Sequence, residues 1–387
     1  MTETVMVLGS GYVGAGAIRS LQDALGHEAD LTWVSEVDYH LVLHESHRCI
    51  QNPDVREHVT VPVDDIKAPN TTFLQARVTG IDCERRVVEL EDDELAYDYL
   101  LVGLGSRTAF FEVDGLEEHA HTLNCLDDAL GIHDALAQVA DEATPEDPAT
   151  VVVGGAGLTG IQVAGEVAEF RDEHDVPIEI RLIEGLEEIF PGHDESVQSA
   201  LRSLLEERDV IITTGEFIGS VDEGTVHVGE DGSYDHDLLV WTGGIAGHKE
   251  LADAAVEKHE RNVRFETDPT FQTSDERVFA LGDAALVEQG ENDHAPPTAQ
   301  AAWQAATVAG ENVARAVRGQ PLEEWRYSEK GTVVSVGDDA VAHDVYIVPF
   351  VSTFSGVLAR TLKKIIAVRW IRNLTDTPTA MAAWSEM

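Results

Sequence analysis

Two glycine-spaced stretches constrain this chain more than anything else in it: Val5-Met6-Val7-Leu8-Gly9-Ser10-Gly11-Tyr12-Val13-Gly14 and Val151-Val152-Val153-Gly154-Gly155-Ala156-Gly157-Leu158-Thr159-Gly160. In each, an apolar run of strand type meets Gly-x-Gly-x-x-Gly and then a helical pattern. The first glycine allows a tight turn and the second lets a pyrophosphate approach the backbone. The third lets the helix pack on the strand, and the free amides of the helix N-terminus hold phosphate. An acid closing the next strand accepts hydrogen bonds from an adenosine ribose, roughly 20 residues further on. Glu36 and Glu184 hold those positions. One such fingerprint is a weak signal. Two in succession imply a chain that holds two dinucleotides and passes electrons between them. Glu187 and Glu188 would repel a 2′-phosphate, so the second site is expected to prefer NAD to NADP.

At 387 residues there is room for two or three domains. Against 72 acids stand 26 lysines and arginines, a formal charge of -46, which excludes nucleic acid as a partner. Apolar strands run through the chain, so the charge reads as a halophilic surface rather than disorder. Met1–Glu3 lead directly into the first strand, leaving no room for a signal peptide, and no apolar run is long enough to span a bilayer. A cytoplasmic chain is expected.

The pattern of elements predicts an α/β fold with two Rossmann-like dinucleotide-binding domains, each three-layered. Tyr97–Val102 runs into Gly103-Leu104-Gly105-Ser106, and Leu238–Val240 into Trp241-Thr242-Gly243-Gly244, so the internal repeat extends beyond the fingerprints. The order of segments places the second domain inside the first. The FAD-binding domain covers 1–110 and 265–324, the NAD-binding domain 111–264, and a tail region 325–387.

The chain resembles the type II NADH dehydrogenase family, the single-subunit NADH:quinone oxidoreductases. The first fingerprint, Asp98–Ser106, the second fingerprint, Trp241–Gly244 and Val278-Phe279-Ala280-Leu281-Gly282-Asp283 carry the likeness. A more particular match is Pro296-Pro297-Thr298-Ala299-Gln300-Ala301-Ala302-Trp303-Gln304. The resemblance implies FAD on the first fingerprint, through Gly9, Gly11, Gly14, Glu36, Val78, Gly105, Asp283 and Ala299. It implies NADH on the second, through Gly155, Gly157, Gly160, Glu184, Gly243 and Gly244. Quinone is expected on the flavin's other side, bordered by Gln300 and Gln304. Hydride would pass from NADH to FAD and two electrons from there to a membrane quinone. Acceptors of other kinds (a soluble protein, a thiol or oxygen) remain open, as does an NADH-dependent interaction or signalling role.

Two departures stand out. The family usually has Glu directly after the second fingerprint, near the nicotinamide, whereas this chain has Gln162, which hydrogen-bonds but exchanges no proton. After Asp38-Tyr39-His40, which fits the family, Val42-Leu43-His44-Glu45-Ser46-His47 replaces an apolar segment. That stretch is either a plain surface loop or a source of protons, from His44 or Glu45. Cys49, Cys83 and Cys125 are isolated, with no CxxC, which argues against a redox disulfide; the scattered histidines show no metal-ligand spacing. Between Val345 and Thr375 there is no acid, and residues 354–372 interleave Arg360, Lys363, Lys364, Arg369 and Arg372 with apolar side chains. On a helix, Arg360, Lys363 and Lys364 share a side opposite Leu358, Leu362, Ile365 and Ile366. That reads as an anionic-membrane contact on the inner face of the cell membrane, with a homodimer or domain contact as the alternative.

Overall fold

The computed structural model describes residues 2–346 and 352–386. In its first sheet the strand order is Val278–Ala280, Tyr99–Val102, Glu3–Leu8, Ala29–Ser35 and Thr71–Gln75, all parallel. The second sheet orders Val210–Thr214, Ile178–Glu184, Ala149–Gly154 and Leu238–Trp241, again all parallel. Both fingerprint strands are central, and Val5, Val7, Leu8 and Val151–Val153 are fully buried. Unbroken apolar runs, rather than alternation, suit strands covered on both faces.

The repeat is visible in the connections as well. After the third strand of each sheet comes a three-stranded antiparallel ribbon: Val78–Asp82, Val87–Leu90 and Glu94–Ala96 in the first unit, Ile218–Asp222, Thr225–Val228 and Gly232–Asp235 in the second. The chain then re-enters beside the fingerprint strand. All strands of the second sheet fall in sequence between two neighbouring strands of the first, Tyr99–Val102 and Val278–Ala280. The crossing is marked by Arg107–Thr108 pairing antiparallel with Ile245–Ala246. This is the expected α/β architecture.

The helices longer than one turn are α1 (Tyr12–Leu25), α2 (Leu126–Glu142), α3 (Leu158–His174), α4 (Glu195–Glu206), α5 (Ala299–Val317), α6 (Val357–Leu374) and α7 (Thr377–Glu386). Small residues set how they pack. A Cβ at Gly16 would lie 2.7 Å from that of Ala306, and one at Gly310 would lie 2.8 Å from the Ala17 carbonyl oxygen, so α1 and α5 cross almost backbone to backbone. Ser20 Oγ donates to Thr307 O across that crossing at 2.8 Å.

The tail folds back on both units. Its hairpin, Thr332–Val336 with Asp339–His343, sits on α3 at Gly165, where a Cβ would be 2.4 Å from the Gly337 nitrogen. Residues 347–351 and 387 of the expected tail region lie outside the described residues. α6 is helical as anticipated, but its faces are not those the local pattern implies. Lys363, taken for a surface cation, is buried, and so are Leu362 and Trp370. The outward face instead carries Val357, Leu358 and Ile365, followed by exposed Arg369 and Arg372. The cause is long-range: buried carboxylates from two other elements receive Lys363, and no local spacing reveals them.

Candidate active site

At the first fingerprint the three glycines do three different jobs. Gly9 stands at φ +92°, which only glycine adopts freely, and its carbonyl is pinned by Trp33 Nε1 at 2.8 Å. A Cβ at Gly14 would lie 1.8 Å from Gly9 O, so α1 closes directly on the turn. Gly11 has an ordinary φ of -69°, yet no atom lies within 4 Å of where its Cβ would be. Glycine there keeps a space open rather than easing a strained backbone. Gly11 also caps α1 without a side-chain hydrogen bond, and the first turn holds no acid. Unpaired amides therefore border an open cradle, which fits a pyrophosphate.

Two other stretches converge here. Cβ atoms at Gly103 and Gly282 would each fall 2.6 Å from a methyl of Val13. Gly105, at φ +73°, borders open space. Arg264 fixes the Gly282–Ala285 turn by donating to Asp283 O at 2.9 Å and Ala285 O at 2.6 Å. Burial pushes the Asp283 carboxyl pKa up against the pull of Arg264. Among the described residues that carboxyl has no hydrogen-bond partner, which leaves it able to receive a polyol. Glu36 is exposed just past Ala29–Ser35, and Val78 opens the first ribbon opposite Leu90. Ala299 begins α5, whose N-cap is Thr298.

The second fingerprint repeats this geometry. Gly155 stands at φ +93°, a Cβ at Gly160 would lie 1.8 Å from Gly155 O, and the Cβ side of Gly157 is open. Thr242 Oγ1 replaces the tryptophan, donating to Gly155 O at 2.9 Å and Gly154 O at 3.0 Å. Glu184 closes its strand and turns back on the fingerprint. Its Oε2 accepts from Ala156 N at 2.8 Å and its Oε1 from Leu186 N at 3.0 Å. The carboxylate is thus fixed while each oxygen keeps a lone pair for a ribose hydroxyl. Gly243 and Gly244 (φ +115°) follow Leu238–Trp241 on the other side of the turn.

The three glutamines expected to serve chemistry hold protein. Gln300 Oε1 accepts from Lys330 N at 2.8 Å and Tyr327 Oη at 3.1 Å, while its Nε2 donates to Gly331 O at 3.0 Å. Gln304 pairs with both backbone groups of Ser328, at 2.9 and 3.3 Å. Together they strap residues 327–331 to α5. Gln162 is buried on α3 and donates to Ser335 Oγ at 3.2 Å.

That serine leads to a cluster that the sequence reading missed. Lys363 Nζ donates to Ser335 Oγ at 2.5 Å, and His47 Nε2 lies 2.8 Å from the same oxygen. Lys363 Nζ also lies 3.1 Å from His47 Nε2, and because an ammonium only donates, that ring nitrogen is the unprotonated acceptor. Burial, with Lys363 adding to it, holds the His47 pKa well below the usual range. Glu166, one turn beyond Gln162, lies 3.7 Å from His47, and Glu45 lies 3.7 Å from Lys363. Burial lifts the Glu166 carboxyl to about 7 and lowers the Lys363 ammonium against the pull of Glu45 and Glu166. A cavity of about 430 Å³ opens beside Glu45, Arg48, Glu166, Ser335 and Lys363 and reaches exposed Asp338.

The same cluster runs back to the first cradle. Tyr12, the residue after Gly11, hydrogen-bonds His44 Nδ1. His44 Nε2 and Glu45 Oε1 face each other at 3.7 Å, both buried and both without a hydrogen-bond partner. Burial drops the pKa of His44 and of His40 to about 4, so both rings are neutral at pH 7. His40 donates from Nδ1 to Ser10 O at 2.8 Å and accepts at Nε2 from Trp370 Nε1 at 2.7 Å. The segment 42–47 is thus no surface loop: Glu45 and His47 are both 2% exposed.

Two matched dinucleotide cradles, each at the carboxyl edge of its own parallel sheet, define an oxidoreductase of the two-dinucleotide class. Residues 3–306 match the pyridine nucleotide-disulphide oxidoreductase family, and the chain belongs to it. A type II NADH:quinone oxidoreductase from Staphylococcus aureus is 28% identical over 383 residues, covering 94% of each chain. The structure of NDH2 from Plasmodium falciparum in complex with NADH superposes with a TM-score of 0.84 at 17% identity, over 100% of this chain and 98% of that one. The sulfide:quinone oxidoreductase of Aquifex aeolicus gives 0.78 at 19% identity, over 97% and 93%. At such identities the structural likeness speaks for the fold.

Proposed function

We propose that the chain is an FAD-dependent NADH:quinone oxidoreductase working without a redox disulfide or metal. The observation that carries this is the pair of matched open cradles at Gly11 and Gly157, with the fixed Glu184 carboxylate beside the second. The Staphylococcus aureus relative, matched along nearly all of both chains, supports a quinone as the acceptor. Burial pushes the thiols of Cys49 and Cys125 up to about 12 and 11, which suits a chemistry that uses no thiolate.

FAD, when bound, supplies the two-electron centre that takes hydride from NADH and reduces the quinone. The protein's part is binding, orientation and protons. Gly9–Gly14, Gly105, Asp283 and the α1 N-terminus would hold FAD, and Gly155–Gly160 with Glu184 would hold NADH. Glu184, Glu187 and Glu188 disfavour a 2′-phosphate by charge. Reduction of a quinone by NADH consumes one proton from water for every NADH. The group of Glu166, His47, Ser335, Lys363 and Glu45 lies between a water-accessible cavity and the Tyr12–His44 pair, and so stands where that proton enters. In this scheme Gln162 positions Ser335 and carries no proton.

Among the described residues no helix is long and apolar enough to cross a membrane. The outward face of α6 gives a peripheral contact in its place. Val357, Leu358 and Ile365 enter the lipid and Arg369 and Arg372 meet anionic headgroups on the inner face of the cell membrane. Anaerobic mixing of the FAD-loaded chain with NADH, followed by a short-chain quinone, tests the reading. Flavin absorbance bleaches and then recovers within one turnover time. Bleaching that oxygen or a disulfide reverses, but quinone does not, overturns the acceptor assignment.

A further inference from the structure

Of the described phenylalanines only Phe111 and Phe217 are exposed, at 66% and 67%, and both stand at the carboxyl edge of the second sheet. Phe217 is the one seated against Gly185, the residue that follows Glu184. Its ring fills the space that a side chain at Gly185 would occupy: a Cβ there would lie 2.5 Å from Cδ1 and Cε1. The loop that carries it is tied to the strand end by hydrogen bonds from Gly215 N to Leu186 O at 2.9 Å and from Glu216 N to Glu184 O at 3.2 Å. Phe217 O in turn accepts from Gly229 N at 3.1 Å. The ring is therefore held in place with one side on glycine and the rest open to water. The exposed ring forgoes burial on a surface otherwise crowded with carboxylates.

We infer that Phe217 is the platform on which the adenine of the bound dinucleotide stacks. The inference rests on the reading that NADH occupies the second fingerprint. Glu184, fixed by Ala156 N and Leu186 N, receives the adenosine ribose, and the base attached to that ribose comes to lie against the neighbouring ring. Stacking tolerates the base's polar edge and needs no acid beside it, so Phe217 adds affinity while Glu184, Glu187 and Glu188 reject the 2′-phosphate. A ring already immobilised loses little freedom on binding, which is what makes it an effective base platform.

The test compares Phe217→Ala and Phe217→Trp in the full FAD-loaded chain, with NADH and with reduced nicotinamide mononucleotide, which lacks the adenosine half. Phe217→Ala weakens NADH roughly tenfold or more, with the limiting rate of flavin reduction unchanged. The mononucleotide is used equally by both forms, and Phe217→Trp restores NADH affinity. Calorimetric binding of ADP-ribose, which involves no electron transfer, weakens by the same factor. Equal NADH affinity in Phe217→Ala and the parent overturns the platform, as does a parallel loss for NADH and the mononucleotide. Weakened ADP-ribose binding in a chain that NADH fails to reduce supports the platform and overturns the NADH oxidoreductase reading instead.

Discussion

Lys363 and Glu166 show how the buried cluster sets a protonation state. Glu166 keeps its proton up to about pH 7 because burial penalises its charge. Its folded pKa lies above the ordinary value of 4.5, so the folded chain binds the extra proton between those pH values. The stability it contributes is complete at low pH and is lost as pH rises through 7. The same sign governs turnover. With Glu166 as the proton source, quinone-limited turnover declines as pH rises past 7, and Glu166→Gln removes that inflection and lowers the rate about 100-fold. A pH series of quinone-limited turnover on both forms checks this; an inflection that survives in Glu166→Gln assigns the proton to another group. Much of this chemistry was hidden in the sequence. His44 and Glu45 stood out because they broke an expected apolar stretch. Glu166 gave only a faint sign, an acid four residues after Gln162 on the apolar first half of α3. Lys363 gave a misleading one, since a lysine between Leu362 and Lys364 looks like a surface residue until Glu45 and Glu166 are placed beside it.

Elements were legible wherever glycine geometry or an apolar period defined them. The strands of both sheets, α3 after its fingerprint and α5 after Pro296-Pro297 follow from local patterns that tertiary contacts do not override. The seating of α6 and of the 332–343 hairpin was not legible, because close approach depends on one glycine in a distant helix. Gly165 lies against Val336 and Gly337, and the hairpin brings Ser335 to Gln162 only because that approach is so close. Gly165→Ala forces hairpin and helix apart at a cost of about 1–3 kcal/mol. The expected outcome is a lower denaturation midpoint and faster proteolysis confined to residues beyond 325. A variant as stable and as protease-resistant as the parent means that the hairpin does not rest on α3.

The whole molecule combines a formal charge of -46 with a tail that carries no acid from Val345 to Thr375. Carboxylates over most of the surface repel one another, and salt at 1 M shortens the screening distance to about 3 Å, against about 10 Å at 0.1 M. We expect the unfolding temperature to fall steadily on dilution from molar salt, with release of flavin as the two units loosen. An unfolding temperature indifferent to salt contradicts a surface adapted to brine. On the proposed peripheral contact, vesicles with anionic headgroups bind the chain through Arg369 and Arg372 of α6, and neutral vesicles do not.

In the proposed function two cradles in one polypeptide hold two different dinucleotides, FAD at the first and NADH at the second. Gly11 and Gly157 allow a direct test, because each has an ordinary backbone conformation and an open Cβ side. Valine at either position is compatible with the fold but fills the space meant for a pyrophosphate. Flavin absorbance and NADH-driven bleaching, measured on Gly11→Val and Gly157→Val side by side, separate the sites. Gly11→Val is expected to be folded but colourless, and Gly157→Val to be yellow, bleached by dithionite and not by NADH. A Gly157→Val protein bleached by NADH at the parental rate, or a Gly11→Val protein that keeps its flavin, contradicts the proposed function.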